Sequence, residues 1–179
     1  MAVLRVDDFR TKMVGGGARA NLFSIEVGFP GYVTGGNTEL TSFMCRAANI
    51  PGSVLGTVEV PFRGRIAKLA GDRTFEPWEV TIYNDTNFSV RNSFEQWMNG
   101  INSHKENTGL FADNSGILYT GNIEVKQLNQ KGTSIKTYSL KNAFPSTLGN
   151  IELSYDQVTQ IEEFTVTFEY DYWTNDQVN

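Results

Sequence analysis

The chain has 179 residues, of which 40% are hydrophobic and 20% charged, and its formal net charge is −5. That size and balance fit one globular domain, and no apolar run nears the roughly 18 residues that a membrane-spanning helix needs. The acidic surplus makes the chain a poor candidate for gripping nucleic acid, because Lys and Arg neutralising phosphate supply most non-specific affinity.

The charge is uneven. Residues 1–80 hold 9 Lys and Arg against 8 Asp and Glu, whereas residues 81–179 hold 6 against 12. Two readings stay open: complementary faces that meet between subunits, or a chance distribution on a solvated surface. Cys45 is the single cysteine, so an intrachain disulfide and a zinc knuckle are both out of reach. It reads as a small buried hydrophobe on a strand. Residues 1–8 show no signal-peptide core, and the expectation is a protein made and kept in the cytoplasm of its producing cell.

Residues 5–13 read as a short helix or an arm, with Val6, Phe9 and Met13 at helical spacing. Gly15, Gly16 and Gly17 end it as a hinge. The Lys and Ser/Thr of a phosphate loop do not follow them. Residues 1–20 are therefore taken as an N-terminal arm. Residues 21–29 alternate cleanly, with Phe23, Ile25, Val27 and Phe29 on one face, as a half-buried strand does. Pro30 and Gly31 stop it. A second strand is expected over residues 40–48, paired with the first as an antiparallel hairpin.

From Asn49 to Thr74 the alternation weakens. Val58, Val60 and Phe62 suggest a strand, and Pro61 confines it to an edge. Ile66, Leu69 and Ala70 suggest a returning stretch. This is an excursion from the domain body, too apolar for disorder, and excursions of this length in compact domains are commonly functional. Its burial partner is expected on another subunit. Residues 75–85 form the next core strand, with Trp78 and Phe75 assigned to the core.

Residues 87–100 carry the clearest helical pattern, the stripe Val90, Phe94, Trp97, Met98 and Ile101. Asn87 or Ser89 would cap its start, and Gly100 would sit just past its end. Residues 102–116 form a polar loop holding His104, the only histidine. Residues 118–128 and 134–140 flank a four-residue hairpin loop. Residues 143–150 read as a loop around Pro145, and Ile151, Leu153 and Tyr155 as a short strand. In the last strand Phe164, Val166, Phe168, Tyr170 and Tyr172 share one face, while Glu163, Thr165, Thr167, Glu169 and Asp171 share the other. A slip of one residue would expose every aromatic, so the register is firm. Residues 174–179 read as a polar tail.

Catalytic patterns are missing. One histidine without a nucleophile elbow builds no triad. Glu162 and Glu163 are strand neighbours on opposite faces. No calcium-loop spacing occurs, and the aromatics alternate like core residues instead of interleaving with basic ones. An enzyme, a cofactor and a metal are not expected. A soluble carbohydrate-binding sandwich stays open as another class, permitted by three tryptophans and seven tyrosines.

The stretch Phe62, Arg63, Gly64, Arg65, then Gly71, Asp72, Arg73, Thr74, Phe75, Glu76, Pro77, Trp78, resembles the tail tube proteins of contractile-tailed bacteriophages. Phe94, Glu95, Trp97, Met98, Asn99 and Gly100 continue the likeness. So do residues 6–9, 15–17 and 21–23 near the start, and 161–164 and 170–173 near the end. Residues 103–122 are the least similar part.

The resemblance implies a single mainly-β domain over residues 1–179. Two packed antiparallel sheets, sandwich- or barrel-like, would stand beside one helix, with a long loop at 49–74 reaching neighbouring subunits. It implies a virion protein without enzymatic activity. Six copies would form a ring, and rings would stack into the inner tube of a contractile tail, the conduit for DNA. Its implied partners are itself, the tail sheath protein, baseplate or tube-initiator and tail terminator proteins, and the tape measure protein followed by DNA in the lumen. Arg63, Arg65, Asp72, Arg73 and Glu76 are the expected inter-subunit ion-pairing residues. Glu163, Thr165, Thr167, Glu169 and Asp171 are the expected lumen face. A tube subunit of a bacterial contractile injection system is the nearest alternative.

Overall fold

The computed structural model describes residues 5–13, 16–109 and 119–177. The expected Gly15 of the hinge, the polar loop beyond residue 109 and the last two residues of the tail lie outside them.

Among the described residues, nine strands and three helices follow in the order α1 (Val6–Lys12), β1 (Phe23–Val27), α2 (Thr38–Met44), β2 (Cys45–Ala48), β3 (Val54–Phe62), β4 (Arg65–Thr74), β5 (Trp78–Tyr83), α3 (Ser89–Ile101), β6 (Gly121–Leu128), β7 (Ser134–Leu148), β8 (Glu163–Glu169) and β9 (Tyr172–Asn175). The body is one antiparallel sheet in the order β1-β6-β7-β8-β5-β2, with β9 also on β7. The strands β3 and β4 pair only with each other.

The long strand β7 divides the body in two. Its first part pairs β6 and β9, and its last part pairs β8. At the crossing Asn142 takes a left-handed φ of 55°, and the β6–β7 register shifts between Gly121 and Ile123. The extra residue lets Leu140 and Ala143 both point inward, each 0% exposed. This is how a bulge bends a strand. Asn142 Nδ2 donates to Asp171 Oδ2 at 2.6 Å, and Asp171 N donates to the Lys141 carbonyl at 3.1 Å. The β8–β9 bend is thereby tied to the β7 bulge.

Helix α3 packs across the inner faces. Phe94 lies edge-on to Phe164 and Phe168, and Trp97 contacts Phe29 and Phe168. Trp97 Nε1 donates to the Tyr119 carbonyl at 2.7 Å, which satisfies its one polar atom in the core. Gly121 permits this packing: a Cβ there would stand 2.1 Å from the Gly28 carbonyl oxygen and 2.9 Å from the Trp97 ring.

The structure corrects several expectations. Residues 38–44 form a helix, not strand. Asn37 caps it by accepting from Leu40 N at 2.9 Å, and Thr38 Oγ1 bonds the Val27 carbonyl. Leu40 and Met44, one helical turn apart, meet the core. Consequently β1 pairs β6 and β2 pairs β5, with no β1–β2 hairpin. Helix α3 is capped by Asp85, whose carboxylate accepts from Ser89 N and Val90 N. Gly100 lies inside the helix, where a Cβ would fall 2.2 Å from the Tyr32 ring.

Residues 143–148 continue β7, and Pro145 is accommodated beside a register shift against β8, as proline in sheets requires. Residues 151–155 are irregular, not strand, and exposed apart from Ile151, which is half-buried against the core. The aromatic strand ends at Glu169, and residues 172–175 return as β9 instead of a tail.

Phe23, Ile25, Val27, Phe29 and Trp78 do meet the core, whereas Phe75 is half-buried outside it, against Tyr170 and Trp173. Cys45 is half-buried.

Candidate assembly surfaces

Two surfaces stand out from the body. The first is the β3–β4 hairpin, exposed along its whole length apart from the half-buried Gly71. Its tip is a two-residue turn, with Arg63 at φ 45° and Gly64 at φ 80°. Both signs are those of the hairpin turn that favours Asn-Gly. Arginine in that conformation costs on the order of 1 kcal/mol. The Arg63 guanidinium lies 5.4 Å from the Phe62 ring centroid.

Across the ribbon, Val58 faces Leu69, Val60 faces Ala67, and Phe62 faces Arg65. These residues share one side, as opposed pairs must. The other side carries Thr57, Glu59, Pro61, Ile66, Lys68 and Ala70, with Glu59 and Lys68 paired at 3.4 Å. Val58, Val60, Phe62, Ile66 and Leu69 are 41–65% exposed. A two-stranded ribbon alone is marginal in water. Finishing the burial of these side chains, at about 1.5–3 kcal/mol for each one fully buried, is worth on the order of 5 kcal/mol.

The expected ion-pairing residues all lie on or just after this hairpin, but not together. Arg63 and Arg65 hold the tip. Asp72 and Arg73 sit at the base, about 25 Å away at ~3.3 Å per residue, and Glu76 lies in the link to β5. None of the five forms an ion pair among the described residues.

The second surface is the outer face of β8 and its neighbours. Phe164, Val166 and Phe168 turn inward, so Glu163, Thr165, Thr167 and Glu169 turn outward. The register sets Tyr83 opposite Glu163, Thr81 opposite Thr165, and Glu79 and Thr147 on either side of Thr167. Glu79, Thr81 and Thr147 thus join the face, which strand-by-strand reading did not collect. The alternation from Trp78 to Tyr83 carries that signal once β5 is known to pair with β8. Arg46 pairs with Glu163 at one end of the face. Asp171 is not on it: it lies in the bend after β8, engaged with Asn142.

The remaining reactive groups belong to the body. Burial pushes the Cys45 thiol up to about 12, partly offset by a backbone hydrogen bond at Ala47, which makes it a weak nucleophile at neutral pH. Burial also pushes Tyr32 up to about 12, where its hydroxyl donates to the Trp97 carbonyl at 2.9 Å. Among the described residues no cluster of three or more His, Cys, Asp or Glu converges to hold a metal ion, and no helix is long and apolar enough to cross a membrane.

A bent β-body with a projecting ribbon and a flat polar face defines an assembly subunit. The comparisons agree. The family described as "Phage tail tube protein" matches residues 18–176, and the chain belongs to that family. It is 30% identical over 158 residues to tail tube protein gp19 of Enterobacteria phage T4, covering 87% of this chain and 90% of that one. It is 29% identical over 170 residues to the tail tube protein of Serratia phage KSP90, covering 92% and 93%.

Solved structures share the fold at low identity. The anti-feeding prophage tube-terminating cap superposes with a TM-score of 0.64 at 17% identity, over 98% of this chain and 94% of that one. The sheath–tube complex of an extracellular contractile injection system does so at 0.56 and 15%, over 97% and 99%. The protein is accordingly a structural component of a phage tail and of the virion.

Proposed function

We propose that this chain closes into six-membered rings which stack as the inner tube of a contractile tail and conduct DNA, with no catalytic role. The exposed, half-apolar β3–β4 hairpin carries the reading, because an element of that composition needs a surface supplied by another copy. A ring uses contacts between unlike patches that close by rotation, and stacking adds a second unlike contact that does not close. The body sheet also ends in two open strands, β1 and β2, which pairing across subunits would cover. The ~30% identical relatives are phage proteins, which favours a DNA conduit over the protein-delivering injection tube.

Within the tube, the face of Glu79, Thr81, Glu163, Thr165, Thr167 and Glu169 lines the lumen. Its carboxylates repel DNA phosphates within about 8 Å of the wall at physiological salt, so cargo slides without sticking. The sheath, baseplate and terminator proteins meet the tube's outside and ends, and the tape measure protein occupies the lumen before DNA. Structural neighbours solved as a baseplate, a tube cap and a sheath–tube complex support the sheath, baseplate and terminator contacts.

Negative-stain microscopy of the purified protein tests the reading. Rings or tubes are expected. Arg65→Glu and Arg73→Glu are expected to leave a folded monomer that forms none, and normal polymerisation of both would remove those arginines from the interface. A reconstruction with a net basic inner wall would overturn the lumen assignment.

A further inference from the structure

The hairpin joins the body through two links, residues 49–53 on the way out and 75–77 on the way back, and neither contains helix or strand. Such links swing unless something holds them. Here aromatic side chains do. In the outgoing link, Trp78 Nε1 donates to the Asn49 carbonyl at 2.6 Å and Trp173 Nε1 donates to the Gly52 carbonyl at 3.0 Å. Pro51, between those two carbonyls, is buried, and its ring fixes its own φ. In the returning link, the ring of Phe75 lies 6.0 Å from that of Tyr170 and 6.4 Å from that of Trp173. Trp173 therefore touches both links. It stands on β9 opposite Leu140 of β7, and its ring meets Tyr138 edge-on at 5.4 Å.

Above this root the ribbon is bent at a set place. The β3–β4 register shifts between Leu55 and Thr57, so Gly56 opposes both Gly71 and Asp72. A Cβ on Gly71 would stand 3.1 Å from the Gly56 carbonyl oxygen, an approach that suits two glycines. A bulge of this kind gives a strand pair a definite bend and twist. With a clamped root and a fixed bend, the direction of the tip is built into the free chain.

We propose that Trp173 is a positioning residue for assembly: it sets the angle at which the hairpin leaves the body, so that the ribbon is aimed before a second copy is met. Gly52 is exposed, so water could satisfy its carbonyl without the indole. What the bond adds is restraint. A subunit whose ribbon points correctly only part of the time binds with its affinity reduced by that fraction, and holding the ribbon in place beforehand removes the loss. The proposal rests on the tube reading, in which the ribbon meets another copy.

The test keeps the ring and removes the bond, with Trp173→Phe in the full chain. A second variant, Phe75→Leu, loosens the returning link and leaves the indole bond in place. The angle is read on the monomer, below the assembly concentration and in a Cys45→Ser background. Nitroxide labels are placed at Lys68→Cys on the ribbon and Asn92→Cys on α3, both exposed positions. The parent is expected to give one narrow distribution of interspin distances, and each variant a broad one. On unlabelled chains the concentration needed for assembly should rise on the order of fivefold in each variant, as for a ribbon at its docking angle about a fifth of the time. The thermal midpoint of Trp173→Phe should move by no more than about 3 °C, what one hydrogen bond is worth. A packing role alone would lower the midpoint and leave the distances narrow. Distances as narrow as the parent's in both variants, or broad distances with unchanged assembly, overturn the positioning role and leave the tube reading standing. A parent that never polymerises overturns both.

Discussion

The body and the hairpin use the same residue types to opposite ends. In the body Phe94, Trp97, Val166 and Phe168 are each 0% exposed, every strand has partners in one sheet, and the indole of Trp97 is hydrogen-bonded. In the hairpin, valine, leucine and phenylalanine alternate less cleanly and stand in water. Alternation alone therefore says that a face will be buried. It does not say whether by the same chain. The body must hold the monomer together without the hairpin, since an isolated ribbon contributes little net stability.

The sharpest way to break that comparison is inside the body. Trp97→Ala removes a fully buried indole that touches both halves of the sheet, and should cost about 3–5 kcal/mol, visible as a large drop in the thermal midpoint. Gly121→Val, which forces a side chain into the Gly28 carbonyl and the Trp97 ring, is expected to abolish folding in the same assay.

A smaller effect is expected at the start of α3. Asp85→Ala loses the two bonds to Ser89 N and Val90 N and should cost about 1 kcal/mol. The Asp85 carboxyl is raised by its partial burial but lowered more by those backbone bonds, and its net shift is below the ordinary value of 3.8. A depressed folded value means the stabilisation is fully present above the ordinary value and lost as pH falls through the depressed one. The gap between parent and Asp85→Asn should therefore narrow in denaturant titrations as pH drops below about 4.

The elements that local chemistry specifies were legible in the chain. β1, the inward face of β8 and the stripe of α3 follow from spacing alone, because each buries one face against the same core. What was not legible depends on partners distant in sequence. Residues 40–48 alternate well enough to pass for a strand, yet Asn37 as a cap and the Leu40–Met44 spacing favour a helix. Pro145 read as a loop because its tolerance depends on a bulge against β8. The bend at Asn142 leaves no local mark, since its left-handed backbone is stabilised by Asp171, 29 residues on. The same limit applied to the surfaces. The arginines of the hairpin were visible as an awkward charged run, but Glu79, Thr81 and Thr147 joined the β8 face only through register.

The smallest effect on the monomer should come from the hairpin, and it sharpens the comparison most. Val58→Thr, Val60→Thr and Leu69→Thr together keep β-propensity while removing the apolar side of the ribbon. All three positions are about half exposed, so the thermal midpoint should move by no more than surface substitutions do, about 0.5 kcal/mol. Assembly should nevertheless fail, because the same three side chains supply much of the apolar area on one side of the ribbon. Calorimetry and sedimentation on one sample read the two quantities separately. A fall in monomer stability as large as that of Asp85→Ala would place the ribbon's energy inside the chain. An unchanged midpoint with lost polymer locates it between copies, where the apolar face gains its burial only once a second subunit covers it.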